Sequence, residues 1–498
     1  MTYCYKGSKN TLESIIIPDE YTSIRGHAFR CCSNLTSVFI PDFVIEIGDE
    51  AFYNCSNLIS ITIPTSVRYI GGYAFRDCRN LTSITIPDSV NEINEGTFDD
   101  CHNLSSITIP TSVTKIGFLA FGDCSSLSSV IIPNSVKYID CQAFENCFNL
   151  TSIIIPTSVS EIRSHAFSDC RNLTSITIPT SVSEIDDCTF INCFNLSSIN
   201  IPTSVTKIGK WAFLECSNLS SITIPTSVSK IGKYAFENCF NLTSIFIPDS
   251  VTKIGNYAFC GCFNLSSIII PTSVSKISPH VFECCSNLTS ISIPTSVSEI
   301  GPHAFNYCSN LSSIIIPNSV REIDDYAFDN CSKLSSITIP DSVNEIKIGT
   351  FYSCVNLTYI NIPTSVSEIG PHAFDQCWKL ISVFIPTSVS KIGSYAFRSC
   401  HNLTSIAIPY SVKEIGSEVF YECSALTSKI TSTSINKISE DALEDCPKLT
   451  SITTSNSVSE PNYKVLLQAY KNVSQQYPVL FKVFEHEVLR LDPNFKFD

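Results

Sequence analysis

The sequence predicts a β-rich repeat solenoid, in which short strands of successive repeats stack in parallel. Leucine recurs every 23 residues from Leu12 to Leu449, twenty times without a miss. Proline recurs in the same register from Pro18 to Pro409, eighteen times, always after a short β-branched run. Self-similarity at a fixed period of this length is typical of solenoids, whose repeats fold by stacking on their neighbours.

The first element of each repeat is a strand. The repeated unit is L-x-x-I-x-I-P-x-S-V-x-x-I-G-x-x-A-F-x-x-C-x-N, represented by NLTSITIPTSVSEI in the stretch from Asn172 to Ile185. Alternation predicts that Leu173, Ile176 and Ile178 point inward. Proline has no N–H for a strand ladder, so Pro179 is expected where the strand leaves the sheet.

The second half of the unit closes the coil. Val182 and Ile185 are predicted to form the opposite wall. The position after this isoleucine is Gly ten times and Asn or Asp four times, which predicts a turn with positive φ. A-F-x-x-C predicts a short helical turn, with Phe167 and Cys170 filling the middle. One repeat cannot bury these side chains alone, so a continuous core along the stack is expected.

The two ends of the chain differ from the repeats. Residues 1–11 are interpreted as an N-terminal cap and residues 12–458 as a solenoid of about 19 repeats. Near the end Lys429 and Thr431 replace core isoleucine. Residues 459–498 have a helical pattern and are predicted to form a helical C-terminal cap. The alternative is a pair of partner-binding helices.

The unit L-x-x-I-x-I-P-x-S-V-x-x-I-G-x-x-A-F-x-x-C resembles the BspA-type leucine-rich repeat, from Leu12 to Val458. The resemblance implies a right-handed leucine-rich-repeat solenoid, a horseshoe or arc, with one short strand and a turn or short helix per repeat. It also implies surface adhesion or protein binding, because bacterial relatives are adhesin-like surface proteins.

Composition narrows the classes of partner. A net charge of −14 disfavours nucleic acid. There is no apolar run long enough to predict a membrane span. The first ten residues lack the apolar core of a signal peptide, which indicates the cytosol, whereas the family resemblance indicates the cell surface or secretion.

The periodic cysteines and asparagines are predicted to be structural. One cysteine per repeat lacks the paired spacing of zinc ligands, and neighbouring repeats are too far apart for easy disulfide formation. Small, buried, reduced thiols are therefore expected. Thirteen N-L-T or N-L-S triplets match glycosylation acceptors. The favoured alternative is an asparagine ladder bonded to the backbone of neighbouring turns.

Catalytic chemistry has no support in the sequence. His280 and His303 share a register on adjacent repeats and could hold a metal weakly, but exposed turn residues are the better interpretation. With no phosphate-binding loop and no catalytic set, we expect no enzyme activity, no cofactor and no metal.

Variable outward positions predict a ligand contact. The outward strand position is usually Thr, and its apolar exceptions include Phe39, Phe246, Ile269, Ile315 and Phe384. Just after the repeat cysteine lie Phe148, Phe194, Phe240, Phe263 and Trp378. Phe240, Phe246, Phe263 and Ile269 therefore form a predicted apolar cluster on two adjacent repeats. Drift between repeat copies is the alternative.

Charge also segregates along one register. Lys207, Lys230, Lys253 and Lys276 occupy four consecutive repeats, and Glu299, Glu322, Glu345 and Glu368 occupy the next four. Lys230, Lys253 and Lys276 are predicted to flank the apolar cluster. The alternatives are segmental duplication and a separate contact, with the Glu block of a second copy.

Together these features predict a non-enzymatic scaffold that binds a protein or cell-surface ligand. The alternative is a structural protein that binds an ordered surface, such as polysaccharide or ice, through rows of Ser and Thr as in Ser175-Ile176-Thr177.

Overall fold

The structure of the protein is a computed structural model. It describes residues 1–432, 437–439, 441–442, 444–448 and 452–455. The chain divides into two units, Met1–Ser319 and Val320–Asp498, and each is described by itself.

Each repeat contributes two short strands rather than the one that was predicted. The first strand centres on the Ser-Ile-Thr segment, and the first strands of successive repeats are called row A. Its strands in the first unit are Ser14–Ile16, Ser37–Phe39, Ser60–Thr62, Ser83–Thr85, Ser106–Thr108, Ser129–Ile131, Ser152–Ile154, Ser175–Thr177, Ser198–Asn200, Ser221–Thr223, Ser244–Phe246, Ser267–Ile269, Ser290–Ser292 and Ser313–Ile315. Those in the second unit are Ser336–Thr338, Tyr359–Asn361, Ser382–Phe384, Ser405–Ala407, Ser428–Ser432 and Ile452–Ser455.

The second strand of each repeat ends on the isoleucine of V-x-x-I, and these strands are called row B together with Thr2–Tyr3, which pairs with the first of them. In the first unit they are Thr2–Tyr3, Ser23–Ile24, Glu46–Ile47, Tyr69–Ile70, Glu92–Ile93, Lys115–Ile116, Tyr138–Ile139, Glu161–Ile162, Glu184–Ile185, Lys207–Ile208, Lys230–Ile231, Lys253–Ile254, Lys276–Ile277 and Glu299–Ile300. In the second unit they are Glu322–Ile323, Glu345–Ile346, Glu368–Ile369, Lys391–Ile392, Glu414–Ile415 and Lys437–Ile438.

Both rows pair in parallel with a shift of one repeat. In row A, Ser175 pairs with Ser198 and Ile176 with Ile199. The middle residue of each of these strands is buried and its neighbours are exposed, as alternation predicts. Each of these strands ends two residues before the repeat proline, as Ser175–Thr177 does before Pro179. The Pro179 carbonyl accepts a hydrogen bond from the Val182 N–H at 3.1 Å, which closes a turn between the two strands.

The A-F-x-x-C segment is not the short helix that was predicted. In the described part of the chain, the helical segment is the 3-10 turn Lys9–Thr11 at the start. The N–H groups of His27 and Phe29 instead donate to carbonyls of the next repeat, at 2.9 and 2.7 Å. The intervening Ala28 N–H bonds within its own turn, to Arg25 at 3.1 Å. This alternation forms a third line of backbone bonds between repeats.

Positive φ angles lie two and six residues after the conserved glycine position, not at it. In one repeat they occur at Glu50 (φ 54°) and Asn54 (φ 55°), whereas Gly48 itself has no positive φ. Close approach explains the glycine instead. A Cβ on Gly255 would lie 2.5 Å from the carbonyl carbon of Gly232 in the preceding repeat. Some repeats accommodate a side chain here, and the Asn94 amide donates to the Ile70 carbonyl at 2.6 Å.

The core is a set of columns, one residue type per column. The repeat Leu, Ile, Val and Cys are buried, and the phenylalanine rings stack face to face along each unit. Ring centroids are 5.1 Å apart for Phe29 and Phe52, and 5.7 Å apart for Phe328 and Phe351. At the N-terminal end, the Tyr3 and Tyr5 rings lie over Phe29 with centroids at 5.6 and 5.9 Å.

The cysteine column is buried, which confirms that part of the prediction, and it has a hydrogen-bonding role that was not predicted. The Cys55 thiol lies 3.2 Å from the carbonyl of Phe29, in the preceding repeat. The same contact recurs along both units, as between Cys354 and Phe328 at 3.2 Å. Burial raises the pKa of these thiols, Cys78 and Cys354 among them, so they remain protonated donors.

The predicted helical cap, residues 459–498, lies outside the described residues. The described segments before it continue row A, because Lys429 pairs with Ile452 and Ile430 with Thr453.

Thiol labelling of the native chain tests the cysteine column. One cysteine, Cys31, is exposed, five are half-buried and nineteen are buried. We expect rapid reaction at Cys31, slow reaction at the half-buried thiols and protection of the others. Denaturation under reducing conditions should make all 25 reactive. Rapid native labelling of most cysteines would contradict the buried column.

Candidate functional site

The exposed face of row A in the first unit carries no charged side chain. Each of its fourteen strands exposes its first residue, which is always Ser, and its third residue. The third residues are Ile16, Phe39, Thr62, Thr85, Thr108, Ile131, Ile154, Thr177, Asn200, Thr223, Phe246, Ile269, Ser292 and Ile315. In a chain of net charge −14, an uncharged exposed face of this length is the clearest candidate for a binding surface.

Six of the seven apolar residues on this face occur as neighbouring pairs, and the seventh, Ile315, lies beside Ser292. Phe246 and Ile269 are directly opposite each other in the ladder and are 59% and 68% exposed. Ile131 and Ile154 form a second pair, 78% and 75% exposed. Ile16 and Phe39 form a third. Sequence reasoning singled out Phe246 and Ile269 but missed Ile16, Ile131 and Ile154, although they occupy the same register.

Phe240 and Phe263 form a separate aromatic pair in the turn before row A. Their rings are parallel, with centroids 5.0 Å apart, and Phe263 is 43% exposed. Phe148 and Phe194 occupy the same position in two other repeats, and an arginine lies near both rings. The Arg171 guanidinium is 4.6 Å from the Phe148 ring and 5.7 Å from the Phe194 ring. Of the two remaining outward aromatics, Phe384 is half-buried and Trp378 is exposed.

The predicted lysines do not lie in the same strand row as the apolar pair. Lys230, Lys253 and Lys276 all belong to row B, whereas Phe246 and Ile269 belong to row A. The ends of the block are neutralised, because Lys207 pairs with Glu184 at 3.0 Å and Lys276 pairs with Glu299. The lysine block therefore lies on row B, in a different strand row from the apolar pair on row A.

The two histidines lie in turns, as predicted, but they are half-buried members of a ring column rather than exposed. Trp211, Tyr234, Tyr257, His280 and His303 stack on consecutive repeats. The His280 and His303 centroids are 4.6 Å apart, and His280 Nδ1 lies 2.8 Å from Glu283 Oε2. The His280 ring lies between those of Tyr257 and His303. Among the described residues, no group of three His, Cys, Asp or Glu is placed to hold a metal ion.

A half-buried acid, Glu237, lies beside this column. Burial, followed by the negative charges of Glu215 and Glu283, raises the pKa of Glu237 to about 7. A carboxyl group with this pKa is partly protonated near neutrality, so its contribution to stability depends on pH.

The asparagine ladder exists, with a different partner from the one predicted. Asn195 Nδ2 donates to Asn172 Oδ1 at 3.1 Å, and Asn218 donates to Asn195 at 3.0 Å. The predicted bonds to backbone occur in fewer repeats, as from Asn356 to the Ser332 carbonyl at 2.6 Å. No described helix is long and apolar enough to cross a membrane.

Stacked parallel strands with leucine and isoleucine columns define a leucine-rich-repeat scaffold. The family model of the BspA type leucine-rich repeat region, in 6 copies, matches residues 1–128, 114–242, 229–354 and 344–471, and the chain belongs to this family.

One solved structure agrees with this assignment in fold. A leucine-rich repeat protein from Bacteroides ovatus is 30% identical, with a TM-score of 0.57, over 77% of this chain and 89% of that one. A leucine-rich cell surface protein from Faecalibacterium prausnitzii is 25% identical over 92% of this chain and 90% of that one, with a TM-score of 0.26. Comparison with curated proteins gave no match.

Replacing Glu237 by Gln should flatten the pH dependence of stability. The folded chain holds this proton more tightly than the unfolded chain, whose glutamate titrates near ~4.3. The stability that protonated Glu237 contributes is therefore fully present below pH ~4.3 and is lost as the pH rises through about 7. Thermal melts at pH 5 and pH 8 should show a smaller difference for Glu237→Gln than for the wild type. An unchanged difference would contradict the raised pKa.

Proposed function

We propose that this chain is a non-enzymatic scaffold that binds a protein ligand, in an adhesion-type role, through the uncharged face of row A. The observation that carries the proposal is the absence of charge on that face combined with exposed apolar pairs. Interface cores are depleted in charged residues and enriched in aromatic anchors, whereas ordinary protein surfaces are rich in charge.

We place the centre of contact at Phe246 and Ile269, with the stacked Phe240 and Phe263 beside them in sequence. Phe246 and Ile269 gain no core packing from their apolar character, because both are more than half exposed. Threonine occupies the equivalent position in many other repeats and fits an exposed strand equally well. An exposed aromatic on a rigid ladder also loses little entropy on binding, which favours a hot spot.

The lysine block is proposed to act on encounter. Lys230 and Lys253 form no ion pair with another described residue, and they lie in register on adjacent strands. They give a locally positive surface on a negative chain. Such a surface accelerates association with an acidic partner and loses its effect at high salt.

The ordered-surface alternative is disfavoured by interruptions in the rows of hydroxyl groups. The Ser column of row A is continuous over fourteen strands, but the Thr column beside it runs over Thr62, Thr85 and Thr108 and is then interrupted by Ile131 and Ile154. Paired rows of Ser and Thr hydroxyl groups, on which this alternative depends, are therefore short.

Substitution of the exposed anchors tests the proposed contact. A protein ligand would be selected from a displayed library and its affinity measured by calorimetry against the full chain. Phe246→Ser and Phe263→Ser should each weaken binding by roughly 2 kcal/mol or more, about 30-fold. Both positions are exposed, so the melting temperature should not change.

Two controls accompany this test. Phe39→Ser removes a phenylalanine from the same register at 60% exposure, close to the 59% of Phe246. Thr85→Ser removes one methyl group from a distant strand. Both should alter affinity less than threefold. Equal losses for Phe39→Ser and Phe246→Ser would move the site away from Phe246, and small losses for every variant would contradict binding through this face.

A further inference from the structure

The apolar pairs of row A recur at a fixed interval along the first unit. Numbering the repeats from Leu12, the pairs fall on repeats 1 and 2, 6 and 7, and 11 and 12. The three repeats between successive pairs carry polar residues at this position: Thr62, Thr85 and Thr108, then Thr177, Asn200 and Thr223. With ~4.8 Å between strands, equivalent pairs are about 24 Å apart.

Duplication of a five-repeat block does not account for this interval. Such a block would carry the row B residues with it. The row B residue before isoleucine is Glu46, Glu161 and Lys276 in repeats 2, 7 and 12, and Ser23, Tyr138 and Lys253 in repeats 1, 6 and 11. The five-repeat period is therefore found at the exposed positions of row A and not in row B. The exposed positions of row A are those that a bound partner would contact.

This order of apolar and polar repeats is the same in both directions, which is what an isologous interface requires. When a second copy is laid antiparallel on the face, with the two-fold axis between repeats 6 and 7, repeat n lies opposite repeat 13 minus n. Ile131 of each copy then lies opposite Ile154 of the other copy. Ile16 and Phe39 meet Ile269 and Phe246 of the other copy, and every polar repeat meets a polar repeat.

We propose that the first unit binds a second copy of this chain through row A, as an antiparallel two-fold dimer. This proposal rests in part on the proposed function, because both assign a binding role to Phe246 and Ile269. It names a second copy of the chain as the partner of the whole face. Serine at the first position of all fourteen strands keeps one column of this face small, which allows two sheets to pack at ~10 Å.

Charge and area support the same arrangement. Two copies of net charge −14 repel each other, and row A is a face on which they can approach without bringing like charges together. Twelve strands give a face roughly 50 Å long and about 10 Å wide, or ~500 Å² of footprint on each copy. The total of about 1,000 Å² over both copies is below the ~1,200 Å² at which stable interfaces begin, so we expect a weak, reversible dimer of micromolar strength.

Sedimentation equilibrium of the full chain tests the proposal directly. The wild type should change from monomer to dimer between ~1 and ~100 µM, without larger species. Ile131→Thr combined with Ile154→Thr should weaken the dimer at least tenfold, since these residues lie on both sides of the two-fold axis. Threonine already occupies this position in neighbouring repeats, so the fold should be retained, as circular dichroism would confirm.

A matched control removes an equally exposed isoleucine outside the pattern. Ile315 is 72% exposed and lies in repeat 14, which has no opposite repeat in the antiparallel arrangement. Ile315→Thr should change the dimer constant less than twofold. Equal weakening by both sets of substitutions would overturn the proposed register and indicate non-specific apolar association.

A charge pair tests the antiparallel register itself. Thr108 and Thr177 lie in repeats 5 and 8, which the proposal places opposite each other. Lysine at both positions should abolish the dimer at low salt. Thr108→Lys combined with Thr177→Glu should restore or strengthen it, whereas a parallel arrangement would be weakened by both combinations.

The two proposals can fail separately. A wild type that stays monomeric at 100 µM overturns the dimer and leaves the face for another protein. A dimer that responds as described, with no loss of ligand affinity in Phe246→Ser, contradicts the ligand site instead. Ligand binding that persists in the Ile131→Thr, Ile154→Thr variant supports the ligand site, whether or not the dimer forms.

Discussion

Hydrogen bonding between equivalent backbone groups of successive repeats is the constraint on which the structure depends. Three lines of such bonds run along each unit: rows A and B and the alternating turn around Phe29 and its equivalents. Each line requires the same residue spacing in every repeat, because an insertion would move all later partners out of register. The period of 23 without a miss from Leu12 to Leu449 is the sequence consequence.

Several side chains of the repeat also help to keep successive repeats in register. The proline carbonyl closes the turn between rows, the cysteine thiol donates to the phenylalanine carbonyl of the preceding repeat, and glycine allows two backbones to approach. Each residue meets a small set of backbone atoms that recurs at every repeat. Buried polar groups without partners are costly, so a thiol that is both apolar in size and able to donate suits this position.

Sequence reasoning predicted the core columns, the parallel stacking and the position of the proline, because alternation and period determine them. It missed row B as a strand, since two residues such as Glu184 and Ile185 are too few to show alternation. It placed positive φ at glycine, whereas the structure places it at residues such as Glu50 and Tyr73, whose type gives no signal. The rigid register allows non-glycine residues to hold this conformation despite its local cost.

The candidate binding face was only partly predictable, for a related reason. Sequence identifies outward positions but does not show which outward columns share a surface, and so Lys253 was grouped with Phe246 although they belong to different rows. Once the rows are separated, each column has its own pattern: row B carries charge in blocks, and row A carries apolar pairs without charge. Core columns are nearly invariant because each residue packs against its own copy in the next repeat. The exposed third residues of the row A strands are free of that requirement, and we attribute the regular pattern that appears there to a partner outside the repeat stack.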